Sequence, residues 1–166
     1  MDKRGKRLAL VAHCILNQNS RVFGLAEEAG IIREVLEVFM RNNVGLIQMP
    51  CPELAYAGLS RAPKNREQYD NLEFRSLCKK IAEELAKQVS EYERHGTMLK
   101  VVVGVDGSPS CGVKNKGIFI EELRLSLNKV GVATPLFEID LKSLKESVAQ
   151  IEKLIKQNNS SFKLEA

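Results

Sequence analysis

Three of the four cysteines lie where soft-metal chemistry can use them. Cys14, Cys51 and Cys111 each follow an apolar run, either directly or after a short turn. Thiolates bind zinc, copper(I) and iron–sulfur centres in preference to magnesium or calcium. Structural zinc normally has four protein ligands, often in close Cys-x-x-Cys pairs, and the sequence contains no such pair. Three thiolates without a fourth ligand therefore favour a cubane iron–sulfur cluster with one open iron.

The remaining cysteine and the two histidines have other predicted roles. Cys78 falls on the apolar stripe of a predicted helix, where a cysteine packs as a small hydrophobic residue. His13 adjoins Cys14 at the end of a predicted strand, so its side chain is expected to face the opposite way. We therefore predict His13 to be a neighbour or packing residue rather than a ligand. His95 is predicted to end a helix at the opposite rim.

Alternating apolar runs and amphipathic segments indicate the elements that must position these residues. Strands are predicted over 8–12, 44–49, 99–105 and 134–139. Helices are predicted over 31–40, 67–94 (interrupted near its start), 118–129 and 143–157. Ser143 and Glu146 form a plausible capping box for the last helix. Residues 52–66 contain Pro, Gly, Ser and Arg, which predicts a long loop.

Strand and helix alternate along the chain, which predicts an α/β fold. We expect a single Rossmann-like domain: a parallel sheet of about four strands with helices on both faces. Its core is expected to span about residues 8–157, and the tail over 158–166 is expected to fray. Right-handed crossovers bring the carboxyl ends of parallel strands to one edge, where ligands of such sheets bind. The three cysteines are therefore predicted to meet at that edge.

Composition limits the classes of partner. The 166 residues suit one domain, and 44% of them are hydrophobic, enough for a core. Lys and Arg number 25 and Asp and Glu 21, and this excess of +4 is spread along the chain. We therefore predict no nucleic-acid partner, which would call for a clustered basic face. No apolar run approaches the ~20 residues needed to cross a membrane, so we expect no membrane partner, no secretion signal and a cytoplasmic location. The oligomeric state is not predicted.

Several motifs together resemble the thiouracil desulfidase family and its uncharacterised relatives over roughly residues 8–140. They are Cys14 after the first strand, Cys51–Glu53 (Cys-Pro-Glu), Gly58–Arg61 (Gly-Leu-Ser-Arg) and Ser108–Gly112 (Ser-Pro-Ser-Cys-Gly). The resemblance implies a 4Fe–4S cluster held by Cys14, Cys51 and Cys111, whose open iron takes the sulfur of a small thiocarbonyl substrate. It also implies that Glu53 and Ser108 are catalytic. The implied reaction is non-redox: sulfur leaves as sulfide and oxygen from water replaces it.

The chain departs from the family pattern around the expected pocket. His13-Cys14-Ile15-Leu16 stands where the desulfidases carry a Cys-Leu-Leu-Gly type of run, and the loop after Gly58 is less rich in proline. Both regions are expected to line the pocket and to select the substrate. Asn17, Arg21 and Arg61 are the candidates to bind a polar or anionic substrate.

Two other classes of function stay open at this stage. A non-catalytic metal or iron–sulfur carrier, or a sensor, would bind the metal without turnover. A cysteine-nucleophile enzyme would use Cys111, whose thiolate the amides of its turn would favour. Of the two histidines, only His13 would then be available as the base.

Overall fold

A four-stranded parallel sheet forms the centre of the computed structural model, which describes residues 1–157. Its strand order is β2-β1-β3-β4, and every neighbouring pair is parallel. Strands β1 and β3 are buried along almost their whole length, as expected for central strands covered on both faces. The α/β fold class is confirmed, whereas the predicted fraying of 158–166 lies outside the described residues. The strands are β1 (Arg7–Ala12), β2 (Gly45–Met49), β3 (Met98–Val105) and β4 (Leu136–Ile139).

Helices flank this sheet in two packed pairs. The helices are α1 (His13–Leu16), α2 (Arg33–Arg41), α3 (Pro52–Ala57), α4 (Arg66–Tyr69), α5 (Leu72–Arg94), α6 (Ile118–Lys129) and α7 (Leu144–Lys156). Helix α5 packs on α6, and α2 packs on α7. The chain passes from β1 to β2 on one side and later to β3 on the other, so right-handed crossovers place helices on both faces. Within residues 1–157, every helix is too short or too polar to cross a lipid bilayer.

The prediction of a continuous loop over 52–66 is wrong. Residues Pro52–Ala57 form α3, and Arg66 begins α4. Proline at the first helical position is favourable because its missing N–H would have no partner there. The Cys51 Sγ atom caps the helix by accepting a hydrogen bond from the Leu54 N–H at 3.4 Å. The prolines were interpreted as loop residues, although Pro52 marks a helix start.

The predicted interruption of the long helix is present, but its predicted neighbour, the capping box of α7, is not. Helix α5 begins after Asn71, whose side chain accepts a hydrogen bond from the Phe74 N–H at 2.9 Å. Ser143 makes no side-chain capping bond. The Asp140 side chain instead accepts from the Lys142 N–H at 2.9 Å and starts a short 3₁₀ turn ahead of α7. A strong capping residue three positions earlier therefore replaces the predicted one.

An aromatic cluster attaches the segment after β2 to the body of the domain. The ring of Phe74 on α5 lies 5.3 Å from that of Tyr56 on α3 and 4.7 Å from that of Tyr69 on α4, measured between centroids. Phe74 and Tyr69 are almost completely buried. Helices α3 and α4, and the loop between them, are thus held against α5 by apolar contact.

We expect Phe74→Ala to lower the free energy of unfolding by about 3–5 kcal/mol, because it empties the centre of this cluster. Urea denaturation followed by circular dichroism measures the change. Leu72→Ala is the control on the same helix: Leu72 is 87% exposed, and its loss should change the free energy by no more than about 0.5 kcal/mol. Equal effects of the two substitutions would contradict the packing described here.

Candidate functional site

Cys14, Cys51 and Cys111 line one cavity of about 290 Å³ at the carboxyl edge of the sheet. Cys14 lies in α1 directly after β1, Cys51 lies between β2 and α3, and Cys111 lies in the turn after β3. Each of the three is partly exposed, whereas Cys78 is buried in α5 and does not line the cavity. The structure therefore brings together the three cysteines that the strand order predicts to meet.

The expectation that His13 faces away from Cys14 is wrong. The chain turns into α1 immediately after Ala12, so His13 and Cys14 lie in a helix rather than a strand. Adjacent helical residues point about 100° apart instead of to opposite faces, and both side chains line the cavity. Burial lowers the pKa of the His13 imidazole, which favours its neutral form.

The turn that carries Cys111 is packed against bare backbone. The Ser108 Oγ atom accepts hydrogen bonds from the N–H groups of Ser110 and Cys111 at 3.3 and 3.1 Å. A Cβ atom at Gly104 on β3 would overlap the Cys111 carbonyl oxygen, and one at Gly117 would overlap the Ser110 carbonyl. Glycine at these two positions lets the turn sit directly on β3 and on the start of α6.

A buried carboxylate joins this turn to the turn that follows β2. Glu53, in the first turn of α3, is 9% exposed. Its Oε2 atom accepts a hydrogen bond from the Ser110 Oγ–H at 2.6 Å, and the Ser108 hydroxyl lies at 3.5 Å. Its Oε1 atom lies 4.0 Å from Nε of Arg61. Glu53 and Ser108, the two predicted catalytic residues, both line the cavity and contact each other.

Comparison with known proteins follows from these residues. A family profile described as "Putative 2-thiouracil desulfurase" matches residues 7–122. The chain belongs to this family. An uncharacterised protein of Methanocaldococcus jannaschii is 40% identical over 156 residues, which cover 92% of this chain and 99% of that protein. No solved structure matches the chain. The resemblance stated from the cysteine motifs is thereby confirmed, and the matched range contains all three cavity cysteines, Glu53 and Ser108.

The residues predicted to bind substrate in this family member occupy different positions. Arg21 lines the cavity and its guanidinium contacts the Cys14 thiol. Arg61 also lines the cavity, but its terminal nitrogens donate to the carbonyl oxygens of Gly58 and Ser20 at 2.9 and 2.8 Å. Asn17 is not among the lining residues. Its side chain caps the following 3₁₀ turn by accepting from the Asn19 N–H at 3.1 Å.

Three further residues hold the cysteine-bearing turns and were missed from the sequence. The Gln18 amide donates to the Cys14 carbonyl at 2.6 Å and accepts from the Glu27 N–H at 3.0 Å. The buried Glu138 carboxylate on β4 accepts from the N–H groups of Val113 and Lys114 at 2.6 and 3.1 Å. Ser110 supplies the short bond to Glu53. A polar residue within an apolar strand, as at Glu138, is the sequence signal that was available.

Burial raises the pKa of all three cavity thiols. At Cys14 the Arg21 charge opposes this effect, and at Cys111 the neighbouring Cys14 adds to it. In the free protein at neutral pH, the thiols are therefore protonated. A protonated thiol is a poor nucleophile, which disfavours the cysteine-nucleophile class. A metal centre would displace these protons on binding.

We expect Gly104→Ala to lower the free energy of unfolding by at least about 1–3 kcal/mol, since the new methyl group overlaps the Cys111 carbonyl and the turn must move. Gly45→Ala is the matched control on β2, because the nearest atom to a Cβ there is 3.7 Å away. Chemical denaturation measures both variants. A Gly104→Ala protein as stable as Gly45→Ala would show that the turn does not rest on β3.

Proposed function

We propose that this chain is an enzyme that removes sulfur from a small thiocarbonyl compound similar to 2-thiouracil, using a 4Fe–4S cluster bound by Cys14, Cys51 and Cys111. The observation that carries the proposal is that thiols from three separate strand ends line the same cavity as the buried Glu53 carboxylate. Membership of a family described as 2-thiouracil desulfurases supports the substrate class.

The donor set of the cavity fits such a cluster. Its three thiols are the ligands that iron–sulfur centres take. Within residues 1–157, no group of three or more His, Cys, Asp or Glu side chains is arranged to hold a single metal ion. A cluster of several irons presents a different iron to each thiolate, so its ligands surround it instead of converging on one point. The separation of the cysteines therefore favours a cluster over a lone zinc or copper ion.

In the proposed reaction, water supplies oxygen to the thiocarbonyl carbon and the sulfur leaves as hydrogen sulfide. When bound, the cluster supplies a Lewis-acidic iron for the substrate's sulfur. Glu53 accepts a proton from the attacking water and returns it to the departing sulfur, so protons balance and no electron is transferred. Ser110 holds the Oε2 atom of Glu53 in place, and Ser108 fixes the turn that carries Cys111.

The side chains around the cavity suit a small, partly polar substrate. Val22, Leu25 and Phe119 supply apolar surface, while Arg21 and Lys64 supply positive charge. This mixture fits a flat heterocycle that carries carbonyl or ionisable ring groups, since apolar walls bury the ring and a few polar groups fix its orientation.

Anaerobic reconstitution followed by incubation with 2-thiouracil tests the function. We expect formation of the oxo product together with an equal amount of sulfide. Iron binding without any turnover of thiocarbonyl compounds would instead favour the carrier or sensor class. A colourless protein after reconstitution would contradict the cluster itself.

Alanine substitutions separate the proposed ligands from the packing cysteine. The wild-type chain should bind about four irons after reconstitution, and Cys14→Ala, Cys51→Ala or Cys111→Ala should each lose most of them. Cys78→Ala is the control, because Cys78 is buried in α5 away from the cavity. Iron analysis and visible absorption measure the outcome. Loss of the cluster in a folded Cys78→Ala protein would overturn the ligand assignment.

Glu53→Gln should lower kcat by about 10²–10⁴-fold, because the amide cannot accept a proton. Iron content should be unchanged, since the amide oxygen can still accept the hydrogen bond from Ser110. Glu34→Gln on the exposed face of α2 is the control. Full activity of Glu53→Gln with normal iron content would exclude Glu53 as the proton acceptor.

A further inference from the structure

Two buried polar atoms beside Glu53 have no hydrogen-bond partner in the described chain. They are Nε of Arg61 and the hydroxyl oxygen of Tyr69. The third such side-chain atom within residues 1–157 is Oε1 of Glu138, which lies in an ion pair with Lys114 at 3.6 Å. Because a buried polar group without a partner is costly, two of them next to one carboxylate indicate a ligand with hydrogen-bonding capacity.

The Arg61 guanidinium is fixed so that Nε faces Glu53. Only 5% of its side chain is exposed, and both terminal nitrogens donate to the backbone, at Gly58 and Ser20. The distance from Nε to Oε1 of Glu53 is 4.0 Å. A direct N–H···O bond spans about 2.7–3.2 Å, so the two atoms do not bond directly. A polar pair at this longer separation is commonly bridged by water.

Tyr69 approaches the same region from α4. The residue is 1% exposed, and its ring packs against Phe74 at 4.7 Å. Its hydroxyl lies beside the Arg61 guanidinium and close to the Glu53 charge: burial first, and then that charge, raise the pKa of Tyr69. The hydroxyl therefore stays protonated and can either donate or accept.

We propose that Nε of Arg61, the hydroxyl of Tyr69 and Oε1 of Glu53 together bind one internal water molecule. Nε donates to the water oxygen, the water donates to Oε1, and the Tyr69 hydroxyl completes the set. Three hydrogen bonds are typical of a water buried in a protein. The site satisfies both unpartnered atoms without moving any side chain.

The water would complete the restraint on Glu53. Ser110 already holds Oε2 at 2.6 Å, and the bridging water would hold Oε1. Arg61 and Tyr69 are then positioning residues that act on the carboxylate and make no contact with substrate. Only this consequence for catalysis rests on the proposed desulfurase function; the binding of water does not.

A crystal structure of the full chain, at a resolution that shows ordered solvent, tests the site directly. We expect one water within hydrogen-bond distance of all three atoms in the wild type, and loss or weakening of its density in Tyr69→Phe. A direct bond between Arg61 and Glu53, a dry contact, or a water unaffected by Tyr69→Phe would each overturn the proposal. This result is independent of whether the protein turns over any substrate.

Kinetics of the reconstituted enzyme test the positioning role. Tyr69→Phe should lower kcat by about three- to tenfold, the effect of one lost hydrogen bond, with KM for 2-thiouracil and iron content unchanged. Tyr56→Phe is the matched control, because Tyr56 belongs to the same aromatic cluster but its hydroxyl makes only long contacts with Glu73 and Asn71. Equal kcat in the two variants would exclude a positioning role, whereas an inactive wild type would count against the proposed function alone.

Discussion

The hydrogen bond from Ser110 to Glu53 connects two turns whose positions must agree for a site to exist. Glu53 lies two residues after Cys51, and Ser110 lies one residue before Cys111. A bond of 2.6 Å between a hydroxyl and a buried carboxylate is short and directional. It fixes the separation of two cysteine-bearing turns that the sheet alone would place only to within a strand spacing.

The same carboxylate links the third cysteine through Arg61. One guanidinium nitrogen of Arg61 lies 4.0 Å from Glu53, and another donates to the carbonyl of Ser20, in the segment that follows Cys14. Gln18 in that segment donates in turn to the Cys14 carbonyl. A buried charge that lost these partners would be strongly destabilising, so the charge of Glu53 makes the three turns dependent on one another. The residue proposed to accept the proton is thus also the residue around which the cavity is assembled.

The sequence was sufficient to predict the convergence of the cysteines, because that depends on strand order and chain handedness. Apolar runs such as 99–105 mark buried strands, and parallel crossovers put their ends at one edge. The contacts that refine the site were not predictable in this way. Ser110 and Glu53 are 57 residues apart, and no local pattern states which hydroxyl meets which carboxylate. The orientation of His13 failed for a local reason: the strand ended one residue earlier than its apolar pattern suggested, and the period of the side chains changed with it.

The walls of the cavity differ in how they are held, and this separates what is fixed from what can vary. The Cys111 turn rests on β3 at Gly104, where no side chain could be inserted, and Glu138 on β4 holds the backbone just beyond it. Glu138 lies outside the range that the family profile matches, 7–122, so this support comes from a part of the chain that the profile does not describe. The opposite wall, with Val22, Leu25 and Lys64, is built from loop residues. Loops tolerate substitution more readily than a turn packed on a strand. Differences in substrate among relatives are therefore expected to arise at this second wall, while the cysteine-bearing turns keep their geometry.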